Sequence, residues 1–187
     1  MPPKIKITRE KIISEAIDIV RKNGIDAVNA RSIATVLRCS TQPVFSNFST
    51  MDELKFAILV EAEKIYMEYA QKETQKGEYP IYKANGMAYI KFAKEECELF
   101  KLLFMRDRRN EDYYIESELN NQMESIVHNN TGLEDDNVQI FHMEMWAYVH
   151  GIATMFATGY LNIEWDFVSR MLTDSYQGLL KHYKIEL

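Results

Sequence analysis

Along most of this chain apolar residues recur at steps of three and four, the period of a helix that buries one stripe. Ile12, Ile13, Ala16, Ile17 and Val20 form the first stripe, with Thr8 placed to cap its start. Asn23-Gly24 is suited to end it, since both residues tolerate the left-handed conformation beyond a helix C-terminus. Ile33, Ala34 and Leu37 form a shorter second stripe behind Asn29 as cap, and Arg38-Cys39 makes a tight turn. A third helix is predicted from Thr41, capped by Ser40. Thr50-Met51-Asp52-Glu53 has capping-box spacing and opens a fourth helix over about 51–72, with Leu54, Ala57, Ile58, Ile65 and Tyr69 inward. "KGEYP", residues 76–80, reads as a linker, followed by a helical pattern from Ile81 to Met105 that bends near 95–98. A charged loop at 106–110 precedes helices over about 111–128, from 135–136 to about Tyr160, and from about Trp165 to Tyr183. The prediction is an all-α fold of about nine helices, and the sparse four prolines and seven glycines agree with it.

The stretch "STQPVFSNF", residues 40–48, departs from the simple pattern by mixing small polar groups with one proline and large apolar residues. In a helix capped by Ser40, Pro43 falls in the first turn, where amide groups have no partner within the helix. Val44 and Phe48, four apart, then anchor one face, and Thr41, Gln42, Ser46 and Asn47 point outward. Two short helices joined by a tight turn, the second polar at its N-terminal end, describe a DNA-reading helix-turn-helix. Gln and Asn can pair with adenine edges, and Ser or Thr with several bases. Any short helical hairpin also has a polar outer face, so this pattern alone leaves both readings open.

Charge sharpens the picture. Residues 1–50 carry eight basic groups (Lys4, Lys6, Arg9, Lys11, Arg21, Lys22, Arg31, Arg38) against four acids (Glu10, Glu15, Asp18, Asp26), a net of +4. The whole chain is at −6, so the remainder is at −10. A basic head on an acidic body suits a head that meets a polyanion, although a chance imbalance of solvated charge gives the same sum. With 187 residues, 47% hydrophobic and 27% charged, the composition is that of a globular protein of one ordinary domain, or of a small domain joined to a larger one. No apolar run approaches the roughly 18 residues that span a bilayer, and "MPPKIKITRE" lacks the apolar segment of a signal peptide. A cytoplasmic location without membrane contact is the expectation.

Catalytic and metal chemistry find little support. Cys39 and Cys97 have no CxxC spacing and read as free thiols. His142 and His150 stand eight apart on one helix, too far to share a metal without bending it, and His150 reads as a hydrogen-bonded core or pocket residue. Glu95, Glu96 and Glu98 read as a solvated face, and no HExxH, glycine-rich phosphate loop or GxSxG occurs. Neither an enzyme, a cofactor nor a metal is expected.

Residues 8–54, "TREKIISEAIDIVRKNGIDAVNARSIATVLRCSTQPVFSNFSTMDEL", resemble the DNA-binding region of the tetracycline-repressor-like (TetR) regulators through Thr8-Arg9, Ala16, Gly24, Ile33-Ala34, Ser40, Phe45, Phe48 and Leu54. "MWAYVHGIATMFATG", 145–159, and "YIKFAKEECELFKLLF", 89–104, resemble a C-terminal effector domain within that family, with Trp146, His150 and Gly151 as its markers. The resemblance implies a helix-turn-helix DNA-binding domain at 1–50 and an effector-binding and dimerisation domain at 51–187. It implies a homodimer on a palindromic double-stranded DNA operator, most often a repressor released by a small-molecule effector. The DNA-contacting set is then Thr8, Asn29, Arg31, Arg38, Ser40, Thr41, Gln42, Pro43, Phe45, Ser46 and Asn47. Three departures bear on it. Phe45 stands where the family usually has a tyrosine that touches a phosphate, Met51 where it usually has lysine, and Arg38 where it usually has glycine. A fourth, Cys97 in place of a common proline, bears on the bend in the body. Tyr66, Tyr89, Phe92, Phe104, Met123, Met145, Trp146 and His150 are the expected effector lining, suited to a mostly apolar ligand with one or two polar groups. Ala147, Ile152, Ala153, Met155, Phe156 and Tyr160, with Phe167, Met171, Tyr176 and Leu180, are the expected dimer interface. The competing reading is a helical protein–protein adaptor whose head has lost DNA binding.

Overall fold

A computed structural model describes residues 7–107, 109, 117–134 and 136–185, and all of its regular elements are helical. The chain divides into two compact units, one built from residues up to Met67 together with Glu96–Arg106, the other from Glu68–Glu95 together with residues from Asp107 onward. The expected head, 1–50, lies within the N-terminal unit, which is larger than the head alone.

In the N-terminal unit, α1 (Arg9–Asn23) starts at Thr8, whose hydroxyl oxygen accepts from the Lys11 N–H, and stops at Gly24 with φ +77°. Glu10 in the first turn and Arg21 and Lys22 in the last complement the helix dipole. Ile12, Ala16, Ile17, Ile19 and Val20 are buried, so the stripe includes Ile19 and leaves Ile13 half-buried. After a 3-10 turn at Ile25–Ala27, α2 (Ala30–Val36) is capped reciprocally. The Asn29 side-chain oxygen Oδ1 accepts from the Arg31 and Ser32 N–H groups, and the Ser32 hydroxyl oxygen accepts from the Asn29 N–H. The third helix, α3 (Gln42–Asn47), has Thr41 at its N-cap, not Ser40, and no side chain caps it. Pro43, in its first turn, lacks an N–H and so removes one donor that a capping oxygen would accept. Val44 and Phe48 are each 1% exposed and anchor the helix as expected. The fourth helix, α4 (Met51–Gln75), contributes its first seventeen residues to this unit. The Thr50 hydroxyl accepts from the Glu53 N–H at 3.1 Å, while the Glu53 carboxylate accepts from the Ser49 N–H at 2.7 Å.

The predicted bend is a full break. The helix α5 (Ile81–Glu95) ends before Glu96, whose backbone leaves the helical region, and α6 (Cys97–Phe104) begins anew. Within the N-terminal unit α6 packs on α1, and Arg21 grips Glu96 through two hydrogen bonds of 2.7 and 2.9 Å.

The C-terminal unit gathers α5, α7 (Ser117–Thr131), α8 (Asp136–Ala157) and α9 (Trp165–His182) with the end of α4. The first part of the helix expected over 111–128 lies outside the described residues. Tyr82 meets His142 and Tyr89 meets His150, so α5 and α8 run parallel. Lys83 meets Thr173, and Phe141 and Phe156 meet Tyr176 and Trp165, so α9 runs antiparallel to both. The three helices close around Gly86, where a Cβ would stand at van der Waals distance from Leu172 and Val149, 3.4 and 3.5 Å away. Val127, Val138, Phe141, Met145 and Leu180 form a core cluster. The expected interface set needs correction here. Ile152, Ala153, Phe156 and Leu180 are buried in the core, because α8 packs against α5, α7 and α9 and buries more than one stripe. Met155, Met171 and Tyr176 are half-buried, while Ala147, Tyr160 and Phe167 are exposed, as are Ile140 and Met143.

Candidate nucleic-acid interface and effector site

The outward face of α3 carries Gln42, Phe45 and Ser46, all exposed, with Thr41 and Pro43 half-buried at its start and Ser40 exposed before it. Ser46 is turned back on the helix, its hydroxyl donating to the Gln42 carbonyl at 2.9 Å. Asn47 does not face outward as expected. Its amide donates to the Pro43 carbonyl at 2.8 Å and the Ile7 carbonyl at 3.3 Å, and its own carbonyl accepts from Arg9 at 2.8 Å. Asn47 therefore ties the end of α3 to the start of α1. Thr8 and Asn29 commit their side-chain oxygens to helix caps.

Lys4 and Lys6 lie outside the described residues, and Lys22 is exposed at the end of α1; the other basic residues of the head fall into two groups. Arg9 pairs with Glu53 at 2.8 Å and lies over the Phe48 ring at 4.1 Å. Lys11 pairs with Glu15 at 2.6 Å, and Arg21 with Glu96. Arg31 and Arg38 are exposed, and among the described residues neither guanidinium meets a carboxylate. Arg38 adopts φ +51°, a left-handed conformation that non-glycine residues avoid at a cost of roughly 1–2 kcal/mol. Met51 is half-buried at the start of α4.

In the C-terminal unit, Trp146 stacks on His150 one turn along α8, with ring centroids 4.8 Å apart and planes at 14°. The His150 Nδ1 shares a hydrogen bond of 2.8 Å with the hydroxyl of buried Tyr89. Two turns away the Tyr82 hydroxyl and His142 Nδ1 repeat that pairing at 2.9 Å. Burial pushes the Tyr82 hydroxyl well above the ordinary phenol range and holds His142 below the ordinary imidazole range. Sequence reasoning missed the Tyr82–His142 pair. A signal was present: Tyr82 and Tyr89 are seven apart and His142 and His150 eight apart, matched spacings for two parallel helices.

The expected effector lining divides between the units. Tyr66 and Phe104 lie in the N-terminal unit, edge to face at 5.2 Å. Tyr89, Phe92, Met123, Met145, Trp146 and His150 lie in the C-terminal unit, where Tyr89, Trp146 and His150 come together. Met145 belongs to the core cluster, and Phe92, fully buried, packs edge-on against Tyr69 at 5.4 Å. An open groove of about 530 Å³ in this unit is lined by Tyr69, Lys72, Glu73, Gln75, Lys76, Lys91 and Glu95. It is charged and includes none of the expected lining. Among the described residues no group of three or more His, Cys, Asp and Glu is placed to hold a metal, and no helix is long and apolar enough to cross a membrane.

A family model described as the tetracyclin repressor-like, C-terminal domain matches residues 82–176, from Tyr82 in α5 to Tyr176 in α9. This chain belongs to the tetracyclin repressor-like family, whose members are ligand-responsive transcriptional regulators. The match begins in α5 and ends in α9, and α1 to α4 lie outside it. No curated protein matches the chain.

Proposed function

We propose that this protein is a homodimeric repressor that binds a palindromic operator through α3 and is released by a small, mostly apolar effector. One observation carries the reading: in a chain whose C-terminal half belongs to a regulator family, α3 has an exposed face, and Arg31 in the adjoining α2 and Arg38 in the turn before α3 meet no carboxylate among the described residues. Gln42 and Thr41 are the base readers, with Ser46 as an acceptor only, and Arg31 and Arg38 serve the phosphates. Two heads are needed because each covers one half-site, and half-sites of this type lie about 34–36 Å apart or at multiples of that. The exposed residues of α8 and α9, Met143, Ala147 and Phe167 among them, are the pairing surface. The effector acts near Trp146 and His150 by favouring the arrangement of heads that does not fit the operator, with a coupling of about 1–3 kcal/mol. The helix α4, which contributes to both units, is the lever.

Selection of duplexes from a random pool tests the reading. Gln42→Ala is expected to cost about 1–3 kcal/mol on the selected duplex and little on random DNA. Arg31→Ala or Arg38→Ala should weaken binding to both and reduce the salt dependence by about one ion. Absence of any preferred duplex would favour the adaptor reading. An effector is expected to change Trp146 fluorescence in a Trp165→Phe variant over the concentration range that releases DNA, and sedimentation at micromolar concentration should give a dimer.

A further inference from the structure

Phe45 is 55% exposed in the six-residue α3, whereas Val44 beside it and Phe48 at the C-cap are each 1% exposed. A single exposed aromatic ring is ordinary on a protein surface. This one stands out by its company. It lies three residues from Gln42 on the outward face, and the Ser46 hydroxyl beside it is tied to the Gln42 carbonyl. The face therefore projects one amide and one ring; Arg31 of the adjoining α2 and Arg38 in the turn before α3 are exposed and meet no carboxylate among the described residues, which suits a polyanion. The ring has no atom that could bond a phosphate or a polar base edge. Among major-groove base edges, the apolar feature is the C5-methyl group of thymine.

We infer that Phe45 reads the methyl group of a thymine in each operator half-site, next to an adenine paired with Gln42. The inference rests on the DNA-binding reading above. Three residues of helix rise about 4.5 Å. That is close to the 3.4 Å between base pairs along one strand, so the two side chains meet neighbouring pairs. The departure at this position then has a function: the ring contributes sequence reading where a hydroxyl would contribute a backbone contact.

The test uses the full chain and its selected duplex, with each thymine replaced in turn by deoxyuridine, which lacks only the methyl group. At one position per half-site, affinity should fall about three- to five-fold, the worth of burying one methyl group. In Phe45→Ala, thymine and deoxyuridine should bind equally at that position, and the other positions should keep their wild-type response. Because Phe45 is exposed, the variant should retain its circular dichroism and melting point. A selected duplex in which every thymine tolerates loss of the methyl group overturns the inference and leaves the DNA-binding reading intact. So does methyl dependence that persists in Phe45→Ala. A chain that prefers no duplex over random DNA overturns both.

Discussion

The two units use polar side chains in opposite ways. In the N-terminal unit the long-range polar contacts are made by charged and amide groups at or near the surface: Arg9 to Glu53 and to the Asn47 carbonyl, Asn47 to Ile7, Arg21 to Glu96. These contacts join short helices around a small core, and among the described residues Arg31 and Arg38 meet no carboxylate. In the C-terminal unit charged contacts such as Lys83 to Thr173 also occur, but two of the matching contacts are neutral, between tyrosine hydroxyls and histidine rings, and both are part-buried. A surface ion pair is screened by salt and contributes little, whereas a buried polar group must keep its partner or lose the free energy of its hydration. The first unit is thus built to present polar groups outward, the second to hold them inside.

The largest effect expected from this difference is on the core. Phe141, fully buried against Tyr176 and Tyr183, should lose about 3–5 kcal/mol of stability on change to alanine, read by urea denaturation. The same truncation at Phe45 should lose almost nothing, and equal losses at the two sites would break the comparison. A smaller effect of opposite sign is expected at Arg38. Relief of its left-handed backbone in Arg38→Gly should raise stability by about 0.5–1 kcal/mol, less than the full strain because glycine gains freedom in the unfolded chain. The same variant should bind DNA less well, separating what the turn prefers from what the surface needs. Smaller again is Glu96→Gln, which replaces the charged partner of Arg21; Arg21 is well exposed, so the loss should be about 0.5 kcal/mol and should vanish in high salt.

The smallest effect is on pH dependence, and it belongs to the C-terminal unit. Burial lowers the pKa of His142, so above its ordinary value of 6.5 the ring is neutral in both folded and unfolded chains and contributes no pH dependence. As the pH falls below 6.5 the unfolded chain takes up the proton first, and stability is lost until the folded ring titrates as well. Protonation would also turn both ring nitrogens into donors, and His142 Nε2 is buried with no partner among the described residues. Melting between pH 6.5 and 5.5 should therefore decline less steeply in His142→Gln than in the wild type, and parallel curves would remove His142 from this role.

Several features could be read from the chain before its fold was known. The helical stripes, the caps at Thr8 and Asn29, the stop at Gly24 and the place of the bend near residue 96, though not that it is a full break, depend on groups within a few positions of one another, and local sequence carries that information. The placing of Val44 and Phe48 inside and of Gln42 outside follows from the same periodicity. Only the tertiary structure decided that Asn47 turns inward to Ile7, forty residues away, and that Thr41 displaces Ser40 at the start of α3. It also decided that Tyr82 and Tyr89 find His142 and His150 about sixty residues on, and that half of the apolar surplus on α8 is core rather than surface. The physical reason is the same in each case. A helix fixes which side chains share a face, but what lies opposite that face is set by how distant segments pack, and a side chain with several acceptable partners takes the one that packing brings within reach.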